Sequence, residues 1–345
     1  MHKNQKSTTS KAVGARNTAQ VVAACLLAAA CALNNPAWAS DEAKDEAKSV
    51  DSKSVERIAF DSNRSGIFQI YVVNPEGGTP VQITRGAAPC FDPALSRDRS
   101  KIAFSSRRRA NSELPSTNLY VASLNSRFET SGERLLGSGE EYSGHPPSAG
   151  YVDAAFGPGG SQIAATRFFL TALYSSQSIV VFNTGGGAGR RLPLSKPDVV
   201  SQPSYSDNGK LAFAGANRNG KGPNSFDNSD IYVANANGNA PKKITDGKFN
   251  CSDPALSPDG SRVAWSCDLN GNQEIFIARL GGSKPKRLTN SLKADTEPCF
   301  SPNGKRLAFT SEHSGNREIY VMNIDGSGLH RLTTSHANEG NPSWR

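Results

Sequence analysis

The 345-residue sequence lacks several features that would assign a protein to a common class. No apolar run reaches the roughly 20 residues that a membrane-spanning helix needs. The absence of a Cys-x-x-Cys pair excludes a zinc-ribbon or thioredoxin-like site, and the absence of Gly-x-Ser-x-Gly excludes the nucleophile elbow of an α/β-hydrolase. The histidines beyond residue 40 are too scattered for a catalytic constellation: they are His145, His313, His330 and His336.

Turn-forming residues, by contrast, are plentiful. The chain contains 32 glycines and 20 prolines, and only 36% of its residues are hydrophobic. After the first 55 residues no segment shows convincing helical periodicity. This composition favours many short strands joined by tight turns.

The first 40 residues differ from the rest of the chain. They combine four cations and no acid with an apolar stretch, Val21–Leu33, and a small-x-small pattern at Ala37–Ala39. This order predicts a secretory signal peptide, residues 1–39, and therefore a periplasmic or secreted protein. Ala28–Cys31 also faintly resembles a lipoprotein box, but its leucine stands one position too early, so anchoring at Cys31 is the less favoured alternative.

Removal of the signal peptide changes the charge of the chain. It takes away four of the 39 lysines and arginines and leaves 35 against 31 acidic residues, so the net charge falls from +8 to about +4. The remaining charges are interspersed, which argues against a nucleic-acid partner. Residues 40–55 are polar and form a predicted leader ahead of the periodic part of the chain, and no transmembrane segment is predicted after signal removal.

From Arg57 onward, one set of short strand motifs recurs six times. Each copy has two apolar triplets rich in β-branched and aromatic residues, and then a third element. The first triplets recur at intervals of 44 to 61 residues: Ile58–Phe60, Ile102–Phe104, Ile163–Ala165, Leu211–Phe213, Val263–Trp265 and Leu307–Phe309. In five copies a further strand precedes the first triplet and ends in a turn such as Pro258-Asp259-Gly260, in which Pro fixes φ and Gly accepts positive φ.

Four short strands per copy are typical of a propeller blade. A single blade cannot bury both of its faces, so the copies must stack around an axis. Six copies predict an all-β, six-bladed β-propeller of four-stranded antiparallel blades over residues 56–345. The first copy lacks the leading strand, and Asn341–Trp344 matches it, so the C-terminal strand is predicted to complete the first blade and to close the ring without an open edge.

The most specific pattern lies in the last two copies. Asp253–Trp265 is followed by Glu274–Phe276 and Arg287–Thr289, and the copy from Glu297 to Thr333 has the same order. This pattern resembles the repeat of TolB-type propellers over about residues 56–345, without the α/β domain that precedes the propeller in TolB. TolB is a periplasmic protein of the Tol–Pal envelope system, and its propeller binds the peptidoglycan-associated lipoprotein. The resemblance therefore implies a protein or peptide partner, with that lipoprotein as a candidate.

The leading strands also suggest a candidate site. The residue just before the Pro or Ala of each leading strand is expected near one mouth of the central channel. These six residues are Asp92, Asp153, Gln202, Asp253, Glu297 and Asn341. Four converging carboxylates predict binding of a cation, such as Ca²⁺, or of the lysine and arginine side chains of a partner, although calcium-loop ligand spacing is absent. The alternative is that each residue caps backbone N–H groups of the loop that enters its strand.

Two long loops between second and third strands, 167–176 and 217–230, are further candidates, because insertions on one face of a repeat protein are often binding elements. Phe168 and Phe169 would alternatively extend a buried strand, which we favour. The acidic run 227–230 indicates a turn more than a metal motif. No helix follows the Gly-rich run at 185–189, which gives phosphate binding little support.

Four cysteines lie beyond the signal peptide. Cys251 and Cys267 are equidistant from Asp259 at the centre of a Pro-Asp-Gly turn, so they should face each other across an antiparallel pair and form a disulfide in an exported protein. Alignment of the copies puts Ser106 opposite Cys90. It also puts Cys299 inside a leading strand, so both of these cysteines are predicted to be small buried residues.

Two functions are open at the level of sequence. The leading hypothesis is a non-catalytic, monomeric envelope propeller that binds a protein or peptide at the channel mouth. Similar propellers include pectate-fragment lyases that bind metal through histidines, so the resemblance also implies an alternative, a carbohydrate-binding or metal-dependent oligouronate lyase-like protein. Apart from Ca²⁺ in the channel, no cofactor is predicted.

Overall fold

The computed structural model describes residues 56–345 except 109–115, 140–147, 171–174, 195, 223–224, 270 and 283. The predicted signal peptide and leader lie outside the described residues, as does His145. The described chain forms 24 strands in six four-stranded antiparallel sheets, with a single 3-10 turn at Pro158–Gly160. The predicted all-β, six-bladed fold is therefore confirmed. Within this part of the chain, no helix has the length and apolar character needed to cross a membrane.

Each of the first three blades runs from the channel outward through four strands. Blade 1 consists of β24 (Glu339–Trp344), β1 (Ile58–Ser62), β2 (Gln69–Val73) and β3 (Val81–Gln82). Blade 2 consists of β4 (Cys90–Leu95), β5 (Lys101–Ser106), β6 (Asn118–Leu124) and β7 (Thr130–Gly137). Blade 3 consists of β8 (Ser148–Phe156), β9 (Gln162–Leu170), β10 (Ser175–Asn183) and β11 (Arg190–Arg191).

The other three blades follow the same order. Blade 4 consists of β12 (Val199–Tyr205), β13 (Lys210–Ala216), β14 (Asp230–Asn235) and β15 (Lys242–Lys243). Blade 5 consists of β16 (Cys251–Leu256), β17 (Arg262–Leu269), β18 (Asn272–Arg279) and β19 (Lys286–Arg287). Blade 6 consists of β20 (Asp295–Phe300), β21 (Arg306–Ser311), β22 (Glu318–Asn323) and β23 (His330–Arg331). The first strands of neighbouring blades contact one another all the way round the axis.

The repeated triplets form the two middle strands of each blade. The last residue of the first triplet faces the central residue of the second across the ladder, and in five blades this pair is two aromatic rings. Phe213 and Tyr232, for example, stack with their ring centroids 5.5 Å apart. Blade 3 has Ala165 opposite Val180 instead. The aromatic pair therefore marks a blade in the sequence, and its loss explains why the third copy is the weakest.

The core is divided into six apolar clusters, one between each pair of adjacent blades. Each blade thus buries both of its faces, which a single sheet could not do. The sixth cluster joins blade 6 to blade 1 through Ala308, Phe60 and Trp344, and the last of these is fully buried. The ring is therefore closed by the same packing that joins the other blades.

Strand β24 completes blade 1, as predicted. It pairs antiparallel with β1, with Ile58 opposite Trp344. Just beyond the two strands, Arg57 N–H donates to Arg345 O at 2.7 Å and Arg345 N–H donates to Arg57 O at 3.0 Å. Residues more than 280 positions apart in sequence thus share one sheet.

The predicted disulfide is present. Cys251 and Cys267 are directly opposite in β16 and β17 and are bonded through their sulfurs. Cys90 lies opposite Ser106 and is buried, as predicted. The prediction for Cys299 holds only in part: its side chain keeps some accessible surface, although protein surrounds it and burial raises the pKa of the thiol to about 12.

One face of the ring carries both the connectors into the blades and the second-to-third loops. Because Cys90 at the start of β4 pairs with Ser106 at the end of β5, the connector entering a blade and its second-to-third loop lie at the same end of the ring. We call this end the mouth face. The tight turns between first and second strands, such as that around Pro258–Gly260, lie at the opposite end.

Candidate functional site

The six residues predicted at the channel mouth occupy one structural position, and all have left-handed backbone conformations. Their φ angles lie between 51° and 56°: Asp92, Asp153, Gln202, Asp253, Glu297 and Asn341. The first strand skips register here in every blade, as between Phe91 and Ala94, so each residue is the turning point of a β-bulge. Non-glycine residues adopt this conformation at a cost of about 1 kcal/mol or more, and only where the surroundings hold them.

Hydrogen bonds connect these residues from blade to blade, and we call them the mouth ring. Gln202 Oε1 accepts the backbone N–H of Asp253 at 3.0 Å, and Glu297 Oε2 accepts that of Asn341 at 2.8 Å. Asp92 Oδ2 makes a longer contact of 3.5 Å with the N–H of Asp153. Each of these three side chains thus accepts the backbone N–H of the mouth-ring residue in the next blade. It does not cap the loop that enters its own blade.

At two joints a residue of the second strand takes over this role. Asp61 Oδ2 accepts the N–H of Asp92 at 3.0 Å and the side-chain amide of Asn341 at 2.8 Å. Thr166 Oγ1 accepts the N–H of Gln202 at 2.7 Å. Asp61 was not among the predicted site residues, because the other copies have serine, threonine or alanine at its position: Ser105, Thr166, Ala214, Ser266 and Thr310.

Arg317 brings a cation to one side of the mouth ring. Its guanidinium donates to Glu297 Oε1 at 2.5 Å, and Thr310 Oγ1 donates to the other oxygen at 2.7 Å. Burial alone would raise the pKa of Glu297, but Arg317 and these hydrogen bonds hold it below its usual value. Burial lowers the pKa of Arg317, yet the charges of Glu297 and Asp61 outweigh this and raise it.

Gly340 makes the entry of Arg317 possible. A Cβ atom at Gly340 would lie 2.7 Å from an Nη atom of Arg317 and 3.1 Å from Glu297 Oε2. In the sequence Arg317 stands out only as part of a loop, because its approach to the mouth ring depends on this contact between neighbouring blades.

Blades 1 to 3 bring three carboxyl groups to the mouth, Asp61, Asp92 and Asp153, and their pKa values are raised. Burial raises the pKa of Asp61 and of Asp153 to about 7 each, and raises that of Asp92 well above its usual value with help from the charges of Asp153 and Asp61. Asp61 is buried, whereas Asp92 and Asp153 keep some accessible surface although protein surrounds them. Within the described residues, Asp153 Oδ2 and the hydroxyl of Ser105 are buried without a hydrogen-bond partner.

Asp253 lies between these two sides. Ser266 Oγ and Ser252 Oγ donate to its Oδ2 at 2.5 and 2.9 Å, and the side-chain amide of Gln202 donates to its Oδ1 at 2.5 Å. Burial nevertheless raises its pKa. The hydrogen bonding at the mouth is therefore asymmetric: Asp61, Asp253 and Glu297 accept well-formed hydrogen bonds, whereas Asp92 makes one long contact and Asp153 Oδ2 has no partner.

The two long loops offer less support for a binding site than the mouth ring does. Phe168 and Phe169 pair with Gln177 and Ser176 of β10, so they extend strand β9, as we favoured. In the described part of the 217–230 loop, the Arg218 guanidinium lies 4.8 Å from the Phe226 ring centroid. Asp230 begins β14 and accepts a hydrogen bond from Thr245 at 2.5 Å, so it connects this strand to the segment after β15.

The arrangement of donor side chains bears on metal ligation. Among the described residues, no group of three or more His, Cys, Asp and Glu side chains is arranged so that it could hold a metal ion. His313 and His336 lie on separate loops of the described chain, whereas His330 lies in strand β23, where its Nδ1 contacts Gly328 O at 3.0 Å. Neither the Ca²⁺ prediction nor a histidine-metal centre gains support from this arrangement.

Fold and site together define a class: a closed six-bladed β-propeller with a carboxylate-rich channel mouth. Residues 224–345 match the family model described as the TolB beta propeller domain. A search of curated proteins found no match. Residues 224–345 are thus similar to the TolB-type propeller repeat, as the sequence of the last copies indicated.

Solved structures with the same fold include two TolB proteins. TolB from Acinetobacter baumannii is 19% identical, with a TM-score of 0.64 over 85% of this chain and 67% of that one. A putative TolB from Agrobacterium tumefaciens is 19% identical, with a TM-score of 0.58 over 83% and 91%. An oligogalacturonate lyase in complex with manganese is 15% identical, with a TM-score of 0.52 over 81% and 74%. At these identities the likeness is one of fold.

Proposed function

We propose that this protein is a non-catalytic propeller of the cell envelope, periplasmic or secreted, that binds a protein or peptide partner at the mouth ring. The observation that carries the proposal is the excess of carboxyl groups over cationic partners there. Five carboxylates meet at this end of the channel, and Arg317 neutralises one of them: Asp61, Asp92, Asp153, Asp253 and Glu297. Converging carboxylates attract and orient cationic groups.

The side of the mouth ring formed by Asp61, Asp92 and Asp153 is the proposed contact point. An inserted lysine or arginine side chain offers several N–H donors, which suits Asp153, because its Oδ2 is buried without a hydrogen-bond partner. The cation would favour the ionised form and displace protons from Asp61 and Asp153, whose pKa values are about 7. Binding is therefore expected to tighten as pH rises through about 7.

The mouth face also offers apolar contacts for a protein. The side chain of Leu292 is almost fully exposed on the connector into blade 6, and Phe249 is partly exposed on the connector into blade 5. Exposed apolar residues beside a charged centre are a common feature of protein interfaces. The likeness to TolB makes the peptidoglycan-associated lipoprotein, in a Tol–Pal role, the partner that we propose to test first.

Calorimetric titration of purified residues 40–345 with this lipoprotein tests the proposal. The double change Asp92→Asn and Asp153→Asn should weaken binding by about tenfold or more, since about 1.4 kcal/mol is lost for each factor of ten. The matched control, Asp259→Asn with Asp325→Asn, makes the same substitutions at exposed positions on the opposite face and should change affinity less than about twofold. Equal losses in both variants would exclude the mouth ring as the binding site.

The likeness to the manganese-bound lyase motivates a separate test of the non-catalytic assignment. Wild-type protein is incubated with uronate oligosaccharides, with and without a chelator, and unsaturated products are measured by absorbance. Absence of product is the expected result. Product formation that the chelator abolishes would replace our proposal with the lyase alternative.

A further inference from the structure

The outermost strand of blade 2 differs from its counterparts. Strand β7, Thr130–Gly137, has eight residues. The outermost strands of the other five blades have two residues each: β3, β11, β15, β19 and β23. Blade 2 therefore has the longest outer edge among the described residues, at a position where the other blades expose almost no strand.

Much of this edge is open to solvent. Residues 131–134 are exposed, whereas Leu136 and Gly137 are buried. An edge strand directs alternate N–H and C=O groups away from its one neighbour, here β6. In the described chain, residues 130–136 make no backbone hydrogen bond outside that ladder. Bulges interrupt the ladder, but Arg134 and Leu135 pair with Val121 and Tyr120 in regular register.

The charges around the edge are mainly positive. Arg134 donates to Thr184 O at 3.4 Å, on the loop that leads into β11, and β11 itself is the exposed pair Arg190–Arg191. Glu133 is already paired with Arg108. None of the ion pairs formed by the described residues involves Arg134, Arg190 or Arg191. These three arginines and the free edge of β7 form what we call the basic edge.

A second copy of the chain does not suit the basic edge. In a twofold-symmetric antiparallel pair, the residue at the centre faces its own copy. Registers centred on the exposed middle of β7 would therefore bring two Glu133 or two Arg134 side chains together, and like charges directly opposite are destabilising. An acidic chain of different sequence has no such conflict.

We propose that the basic edge binds an extended acidic peptide of a partner protein, which adds a fifth strand to blade 2. The peptide backbone would bond to the free N–H and C=O groups of β7, and its carboxylates would face Arg134, Arg190 and Arg191. Main-chain bonds supply affinity in this mode of recognition, and side-chain charges supply selectivity. The site lies on the rim of the propeller and is independent of the mouth ring.

Fluorescence anisotropy with residues 40–345 provides the test. The probe is a fluorescein-labelled peptide of alternating glutamate and valine, about seven residues long and capped at both ends. The change Arg134→Glu with Arg190→Glu should weaken binding at least tenfold. The matched control, Lys242→Glu with Lys284→Glu, makes the same charge change at other exposed sites and should alter it less than about twofold.

Two further measurements separate strand addition from simple charge attraction. N-methylation of alternate peptide nitrogens, on the side that would face β7, should abolish binding, and hydrogen exchange of residues 131–135 should slow when the unmodified peptide is added. Absence of binding, equal binding by the two charge variants, binding that survives methylation on either side, or protection elsewhere would overturn the proposal. So would a concentration-dependent dimer of the free chain that protects the same amides, because the occupant would then be a second copy.

Discussion

At the scale of single residues, the mouth ring shows how backbone strain and side-chain chemistry are coupled. Asp and Asn tolerate a left-handed φ better than most residues, but Gln202 and Glu297 adopt it as well. The longer side chains reach across to the next blade, where they accept the N–H groups of Asp253 and Asn341. These left-handed turns therefore persist because a side chain of the preceding blade accepts their backbone N–H groups, which would otherwise be buried without a partner.

The pKa values of the mouth ring predict an unusual dependence of stability on pH. The pKa of Asp61 and of Asp153 rises from 3.8 to about 7, mainly through burial. Such a carboxyl binds a proton on folding, so stability falls as pH rises from about 4 to about 7, by up to about 1.4 kcal/mol per pH unit for each group. The change Asp61→Asn with Asp153→Asn should flatten this slope, measured by urea denaturation across the window.

The control for this experiment is Asp259→Asn. The pKa of Asp259 is lowered to about 2 by hydrogen bonds from Ser257 and Ser261, so it stays ionised throughout the window and its replacement should leave the slope unchanged. An unaltered slope in the double variant would show that Asp61 and Asp153 do not bind these protons.

The close contact at Gly340 gives a second prediction at this scale. In Gly340→Ala the new methyl group meets Arg317 and Glu297, so Arg317 should leave the mouth ring and the protein should lose about 1–3 kcal/mol of stability. Chemical denaturation measures this loss. Gly185→Ala is the control, because a Cβ there meets no atom within 4 Å and that substitution should be neutral or slightly stabilising. Equal effects would mean that the contact at Gly340 is easily relaxed.

The mouth ring could be predicted from sequence because a proline follows five of its six residues and marks the turn. The two residues that complete the site could not. Asp61 stands where other copies have small side chains, and the position of Arg317 depends on a glycine in the next blade. The repeats in the sequence predict the features that all blades share. Residues that differ between blades, such as Asp61 and Arg317, can be assigned to the site only from the three-dimensional contacts.

At the scale of strands, four blades share a polar clasp between their third and fourth strands. A buried acid or glutamine near the start of the third strand accepts a hydrogen bond from the hydroxyl of a threonine just after the fourth strand, as with Glu274 and Thr289 at 2.6 Å or Glu318 and Thr333 at 2.5 Å. The same threonine oxygen accepts the next backbone N–H of the third strand. Gln69 with Thr84 and Asp230 with Thr245 form the other two clasps.

Removal of a clasp hydroxyl should destabilise its blade. Thr289→Val keeps the shape of the side chain but leaves Glu274 and the N–H of Ile275 without this partner, at an expected cost of about 1–3 kcal/mol. Chemical denaturation of the purified variant measures it. Thr334→Val is the control, because Thr334 is exposed beside a clasp and its replacement should cost less than about 0.5 kcal/mol. If Thr289→Val loses no more stability than Thr334→Val, the clasp does not stabilise the blade.

The clasp also explains how well the strands could be predicted. Ile-Thr or Leu-Thr directly follows the short outer strands of blades 1, 4, 5 and 6, which makes these strands recognisable as repeats. Blade 3 has Leu192-Pro193 at this place, and blade 2 has Leu135-Leu136 within the long strand β7. The length of β7 was not predicted, since its extension has no counterpart in the other copies.

At the scale of the whole molecule, closure of the ring depends on a single strand. Trp344 of β24 is fully buried between blades 6 and 1, and its indole N–H donates to Glu56 at 2.9 Å. Trp344→Ala should therefore cost about 3–5 kcal/mol. Equilibrium unfolding in urea measures this loss, with Leu292→Ala, at an exposed site, as the neutral control.

A second variant keeps this prediction testable if Trp344→Ala fails to fold. Residues 40–338 alone should expose the edge of β1 and aggregate, whereas addition of a synthetic peptide of residues 339–345 should restore a soluble monomer by size-exclusion chromatography. A soluble, cooperatively folded truncated chain without the peptide would show that closure by β24 is dispensable.

The pairing of β1 with β24 also affects when blade 1 can form during folding. Blade 1 contains the first strand of the described chain but stays incomplete until residues 339–344, the last of its strands, pair with β1. Contacts of such long sequence separation form slowly, because a large loop must close before any of them is made. Until then, β1 is an unpaired edge on a partly folded chain, so the chain is most vulnerable to misassembly in the period before β24 pairs.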